Sequence, residues 1–173
     1  MKPIAQIRKA ELADLGAIRE IYNEAILNTT ATFDTEPKSA EERLQWFQSH
    51  DERHPILVAV VDGSVVGWAS ITEWSDRQAY DDTGEASLYV KSEFRGRGIG
   101  RKLNAAIISE ARRLRFHTLI ARVAEGSEAS IHLSESAGFV RVGTLKEVGR
   151  KFGRRLDVHV LQKMLKRDRA RGR

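Results

Sequence analysis

The sequence predicts an α+β domain in which a mixed, mostly antiparallel sheet is flanked by helices. Three observations carry that prediction. Apolar residues alternate with period two through 56–61, 65–71 and 85–90, and an Asp62-Gly63 turn joins the first two runs, which describes a β-meander. Apolar residues recur instead at helical spacing over 12–28 before the meander and over 101–114 after it. Between the strand 86–90 and the helix from Arg101 lies the turn Arg95-Gly-Arg-Gly-Ile-Gly100, so one strand–helix–strand unit follows the meander.

Each element has its own signal. Residues 4–8 form a short first strand. Leu12, Leu15, Ile18, Ile21, Tyr22, Ala25 and Ile26 lie on one face of a helix over 12–28. Ser39-Ala-Glu-Glu42 is a capping box that opens a second helix running through Trp46 and Phe47. After the meander, Leu103, Ile107, Ala111 and Leu114 share the apolar face of the next helix, and a buried strand over 118–123 follows. A helix over 127–136 stops at Gly138, a C-cap glycine, and 139–145 and 157–165 make two final strands. The order is βααβββαβαββ. No repeat or composition break marks a linker, so residues 1–165 are expected to form one domain.

Composition narrows the function classes. A chain of 173 residues with 41% hydrophobic content suits a soluble domain with a sizeable core. It contains no cysteine, which removes thiol nucleophiles, disulfides and thiolate metal sites, and no metal is expected. The N-terminus lacks an apolar signal region and no run approaches the ~18 apolar residues of a membrane span, so a cytoplasmic location is expected. The stretch 166–173 carries five basic residues against one acidic and accounts for most of the net charge of +5. Without interleaved aromatics or a nucleic-acid-binding motif, it reads as a solvated, disordered tail, and neither nucleic acid nor membrane is an expected partner.

The glycine turn is the most informative passage. Glycines allow positive φ and close approach of backbone to ligand, so successive N–H groups can converge on an anion at a helix N-terminus. A Walker loop would need Lys-Ser/Thr after the last glycine, and Arg101-Lys102 stands there instead. A dinucleotide fingerprint would need Gly-x-Gly-x-x-Gly at the start of a βαβ unit, whereas Gly96, Gly98 and Gly100 alternate in mid-chain. Plain connection chemistry remains the bland alternative.

Arg-x-x-Gly-x-Gly after an antiparallel strand resembles the acetyl-coenzyme A loop of the GNAT superfamily of N-acyltransferases, and the element order matches that fold over nearly the whole chain. Further segments are similar to the phosphinothricin/methionine sulfoximine N-acetyltransferase group: Tyr22-Asn23, Thr29-Thr-Ala-Thr-Phe-Asp-Thr-Glu-Pro37, Glu85-Ala-Ser-Leu-Tyr-Val90, and Gly149-Arg-Lys-Phe-Gly-Arg154 followed by Asp157. The resemblance implies acetyl-CoA as cosubstrate, a small amino-acid-like amine as acceptor, a protective or detoxifying role and a homodimer. It also implies that the loop Arg95, Gly96, Arg97, Gly98, Ile99, Gly100 gives its amides to the pyrophosphate, with Arg95, Arg97 and Arg101 adding charge. A bulge at Leu88, Tyr89 and Val90 is expected to leave amides free for the thioester and pantetheine arm.

A thioester is already activated, so the amine can attack it directly once it is neutral, and a carboxylate is the sensible proton acceptor. Glu85 stands where the resemblance puts that base, with Asp81 and Asp82 close enough in sequence to share or replace the role. Two positions on the cofactor side depart from the family pattern: Ser127 replaces an Asn that bonds the pantetheine, and Ser134 replaces the Tyr or His that protonates the thiolate. His132, two residues away, turns by about 200° on a helix and points elsewhere. For the acceptor's carboxylate, Arg77, Lys151 and Arg154 are the expected cations, with Phe33, Trp74 and Tyr80 as walls. Ser75 stands where group members carry an Arg. Two other readings stay open: acetylation of another amine, such as a peptide N-terminus or a polyamine, and a non-catalytic coenzyme A binding module.

Overall fold

The computed structural model describes residues 5–165; the first residue of the predicted strand 4–8 and the whole basic tail lie outside them. The chain runs β1 (Gln6–Lys9), α1 (Leu15–Asn28), α2 (Ala40–Gln48), β2 (Ile56–Val61), β3 (Ser64–Glu73), β4 (Thr83–Val90), α3 (Ile99–Arg113), β5 (Thr118–Ala124), α4 (Glu128–Ser136), β6 (Val140–Lys151) and β7 (Arg154–Met164). These are the predicted elements in the predicted order. They form one seven-stranded sheet, β1-β2-β3-β4-β5-β7-β6, in which β4–β5 is the parallel pair and the other neighbours are antiparallel.

Local chemistry explains most boundaries. The Ser39 hydroxyl accepts the Glu42 N–H at 3.1 Å while the Glu42 carboxylate accepts the Ser39 N–H at 2.8 Å, which starts α2 as its capping box requires. Asp62 and Gly63 both adopt positive φ, the tight hairpin turn that the pair predicts. α3 begins at Ile99, two residues earlier than its apolar spacing suggests, because Gly98 at φ +80° serves as its N-cap. The first helix differs in the opposite sense. Residues Leu12–Asp14 form a separate 3₁₀ turn and Leu12 is 62% exposed. The turn is fixed by buried Asp14, whose carboxylate pairs in two-pronged fashion with Arg8 (2.7 and 2.9 Å). That hydrogen-bonded pairing, with help from the Glu11 N–H, holds the Asp14 carboxyl below the usual carboxylate range.

The last two strands are much longer than 139–145 and 157–165. They form a hairpin closed by Phe152 and Gly153, both at positive φ, so the polar motif 149–154 is the end of a strand pair. Within it β6 bulges between Leu145 and Gly149. Asp157 stabilises the bulge by accepting from Lys146 Nζ at 2.7 Å and from the Glu147 N–H at 2.8 Å.

Two apolar layers cover the sheet. Leu57, Ala59, Ala69 and Ile71 pack with Leu103, Ile107 and Ala111 of α3, whereas Ile56, Val58 and Trp68 pack with Ile18 and Ile21 of α1. Strand alternation sends neighbouring residues to opposite layers. On β4 the same alternation gives Ala86, Leu88 and Val90 to the α3 side and Tyr89 to the α1 side.

The parallel pair is short. β4 and β5 are in register only at Thr83↔Thr118, Gly84↔Leu119 and Glu85↔Ile120, and beyond Glu85 they part. The β3–β4 ladder, by contrast, runs without a break from Glu73↔Gly84 to Gly67↔Val90, so the bulge expected at Leu88, Tyr89 and Val90 is absent and the parting does its work instead. Which amides it frees follows from the hydrogen-bond phase. Lys91 donates to Val66 O on the β3 side, and Asp82 O accepts from His117 on the β5 side. Counting by twos, Tyr89 bonds to β3 while Leu88 and Val90 point their N–H groups into the gap.

Candidate active site

The gap is a slot of about 100 Å³ between β4 and β5, floored by α3 and closed at one side by α4. Leu88, Asn104, Ser127, Leu133 and Ser134 line it. At its outer end lies the glycine turn. Gly96 and Gly98 both have positive φ, and among the described residues none of the N–H groups of residues 96–101 donates to a backbone acceptor; the first such bond of α3 is Lys102 to Gly98, at 3.1 Å. A Cβ on Gly100 would stand 3.2 Å from Leu133 of α4, so the glycine also lets the helix seat closely. Arg95 Nε donates to Val90 O at 3.0 Å, Arg97 lies over the Phe94 ring, and Arg101 is exposed beside them. A turn of unpartnered amides with three arginines, leading into a slot walled by two more free amides, fits a pyrophosphate with a pantetheine arm.

Glu85 stands where β4 and β5 part. Arg122 of β5 holds its carboxylate in two-pronged fashion, Nε to Oε1 at 2.6 Å and an Nη to Oε2 at 3.0 Å, and the Arg122 guanidinium also lies 5.9 Å from the Trp74 ring centre. Arg122 escaped the sequence reading because an exposed arginine in a buried strand carries no local signal. Asp81 and Asp82 do not join Glu85: both are exposed, and their carbonyls accept from Arg53 and from His117.

Glu85 faces two cavities, the slot and a second one of about 330 Å³ lined by Thr30, Phe33, Tyr89, Leu145, Val148 and Val158 among others. A third cavity, of about 300 Å³, opens beyond Tyr22 and Tyr89 towards α2. Ser87 and Tyr89 line all three, which makes this stretch of β4 the crossing point of the site.

The 29–38 segment roofs these cavities, and the motif residues hold it there. Asn23 clamps its end, donating to Lys38 O at 3.0 Å and accepting the Lys38 N–H at 2.8 Å. The Tyr22 hydroxyl donates to Asp34 Oδ2 at 2.6 Å and meets Thr32 Oγ1 at 2.9 Å; burial, reinforced by Asp34, pushes the phenol up to about 12. Lys151 is buried and donates to Thr32 O at 2.8 Å, so its ammonium ties the roof to the hairpin and lines none of the three cavities, contrary to its expected place beside the acceptor. Burial lowers its pKa. Gly149 completes the roof: a Cβ there would overlap the Phe33 ring.

The other predicted residues are scattered. Phe33 lines the second cavity, whereas half-buried Trp74, near Arg122, and exposed Arg77 and Tyr80 line none of the three cavities. Exposed Arg154 approaches Glu125 at 3.9 Å. His132 is exposed, as its helical position predicted. Asn104, a buried polar residue of α3 that donates to Leu133 O at 3.4 Å, lines the slot and was not foreseen.

Such a site, with an anion-binding turn leading through a slot to a carboxylate, defines a transferase that uses an acyl-coenzyme A. Residues 7–160 match the acetyltransferase (GNAT) domain family. The chain is 39% identical over 160 residues to the L-methionine sulfoximine/L-methionine sulfone acetyltransferase of Salmonella typhimurium, covering 92% of this chain and 94% of that one. It is similar to a GNAT superfamily phosphinothricin acetyltransferase from Sinorhizobium meliloti solved in complex with acetyl-CoA (36% identity, TM-score 0.89, 93% and 88% of the two chains). It is likewise similar to a ribosomal-protein-alanine N-acetyltransferase from Brucella melitensis (45% identity, TM-score 0.90, 92% and 99%). The chain belongs to the GNAT family and is an acetyl-CoA-dependent N-acetyltransferase.

The roof can be tested through Gly149. Gly149→Ala forces the Phe33 ring aside, and overpacking of this kind costs about 1–3 kcal/mol. The variant is expected to melt lower in a thermal scan and to show a raised KM for the amine with an unchanged KM for acetyl-CoA. An unaltered amine KM would remove Phe33 from the acceptor cavity.

Proposed function

We propose that the protein acetylates the α-amine of a small amino-acid analogue of the phosphinothricin, methionine sulfoximine or methionine sulfone type, a modification that would neutralise a toxic amine, with Glu85 as proton acceptor. The observation that carries the proposal is that Glu85 opens on both the cofactor slot and the roofed second cavity. Bound acetyl-CoA supplies an acyl carbonyl already activated as a thioester. The chain's own residues position and deprotonate. The amides of residues 96–101 and the charges of Arg95, Arg97 and Arg101 hold the pyrophosphate; the Leu88 and Val90 N–H groups, with Asn104 and Ser127, hold the arm.

An α-ammonium is mostly protonated at neutral pH, and Glu85, aimed by the fork of Arg122, takes its proton. Holding both reactants on one strand converts the encounter into an intramolecular one. The amine nitrogen bonds the acyl carbon as the thioester C–S bond breaks, and Ser134, which lines the slot, would pass a proton to the departing thiolate. Phe33 walls the acceptor side, and Trp74 backs Arg122.

A second reading, acetylation of a peptide N-terminus, is favoured by one observation: the similar Brucella melitensis structure is described as a ribosomal-protein-alanine N-acetyltransferase. Both are tested by coenzyme A release from acetyl-CoA with phosphinothricin, methionine sulfone and an alanine-terminated peptide, on wild type and Glu85→Gln. The expected result is turnover of the amino-acid analogues that falls by about 10²–10⁴-fold in the variant, the usual contribution of a general base. Turnover of the peptide alone would transfer the assignment to the second reading, and undiminished turnover in the variant would remove Glu85 as base.

The protein is also proposed to work as a homodimer joined through β6. This terminal strand of the sheet exposes Val140, Val142, Leu145 and Val148, and the turn after it Phe152, each at about half or more of its surface, and an apolar edge strand is a liability unless covered. Leu145 and Val148 also line the second cavity, so a second copy seated there would close the acceptor site. Light scattering should give twice the 19.5 kDa chain mass; a monomer at micromolar concentration would contradict the proposal.

A further inference from the structure

The third cavity contains a cation without a counter-charge. Arg43 of α2 is 4% exposed, yet among the described residues its guanidinium takes part in no hydrogen bond and no ion pair, and its Nε is fully buried without a partner. Rings hold it in place: its guanidinium carbon lies 4.4 Å from the centre of Tyr22, 4.3 Å from Trp46 and 5.7 Å from Trp68. Cation–π contact stabilises the charge but leaves its N–H donors without acceptors. Burial accordingly lowers its pKa.

The carboxylates that face the same cavity are committed elsewhere. Asp34 accepts from Tyr22 at 2.6 Å and pairs with Lys38 at 3.4 Å, and Glu42 caps its own helix. A second buried donor there is also unpartnered, Trp68 Nε1, on a residue 2% exposed. Arg43 and Trp68 both line this cavity and each carries a buried donor without an acceptor, which is the chemistry of a receptor for an oxyanion. Tyr22, Ser87 and Tyr89 line both that cavity and the second one, which Glu85 faces.

We infer that Arg43, assisted by Trp68 Nε1–H, binds the carboxylate of the acceptor and so makes the enzyme selective for amino acids over plain amines. The inference rests on the amino-acid-analogue reading above. It supplies the anion partner that Lys151, occupied by Thr32, does not.

The test compares kcat/KM for methionine sulfone and for its carboxamide, on wild type, Arg43→Gln and Arg43→Lys. Arg43→Gln should raise KM for the acid by about ten- to hundredfold, the loss expected for a charge-assisted hydrogen bond, while leaving the carboxamide within about twofold. Arg43→Lys should recover part of the acid's KM. Equal losses on acid and carboxamide would overturn the inference and leave Arg43 a packing residue. Because Trp46 and Trp68 flank the guanidinium, a second readout needs no turnover and no altered fold. Titration of wild type with N-acetylmethionine sulfone should change tryptophan fluorescence saturably, and its carboxamide should not. If no amino-acid analogue is acetylated, the substrate reading fails on its own, and this titration decides the anion site. No saturable change with the acid, or the same change with both, overturns it.

Discussion

The structure depends on where two parallel strands stop pairing. β4 and β5 share three register positions and then part, so Leu88 and Val90 keep their N–H groups without strand partners in the middle of a sheet. Buried amides left in that state are costly unless something accepts from them. A ligand with an acceptor-rich, extended arm answers that demand, and the glycine turn at the end of the same strand answers the same ligand's phosphates. Binding site and sheet topology are thus one feature. The parting begins at Glu85, which therefore faces both the slot and the second cavity.

The remaining architecture builds the other half of the reaction vessel. The 29–38 segment has no regular structure of its own and owes its place to polar clamps: Asn23 to Lys38, Tyr22 to Asp34 and Thr32, Lys151 to Thr32. Two of the clamps come from α1 and the third from β6, so the roof is over-determined by α1 and the β6–β7 hairpin together. Gly149, by making room for Phe33, lets the hairpin press against the roof. Motifs that look like scattered family signatures in the sequence are here the two sides of a single contact.

Much of the fold was legible because its signals are local. The Ser39 capping box, the Asp62-Gly63 turn, the Gly138 stop and the helical spacing of Leu103, Ile107 and Ala111 each report a backbone state within a few residues. The polar β6–β7 end was read short because a strand pair that bulges and exposes both faces lacks the alternation that marks strands. Within the site, the positive-φ glycine turn and the strand that carries Glu85 were legible as backbone features, since both lie in one local strand–turn–helix passage. Arg122, Arg43 and Asn104 were not. Their contacts join elements far apart in sequence, and an arginine on a helix reads as solvated until the aromatic rings around it are known. Lys151 failed as an acceptor ligand for the same reason: its partner, Thr32, is 119 residues away.

The measurement that tests the central claim most directly is amide hydrogen exchange, residue by residue, with and without coenzyme A. Leu88, Val90 and the amides of residues 96–101 should exchange measurably in the free protein and slow on binding, whereas Tyr89, already bonded to β3, should change little. Slowed exchange confined to other surfaces, or no change at Leu88 and Val90, would contradict the claim that the parting of β4 and β5 is the cofactor's seat.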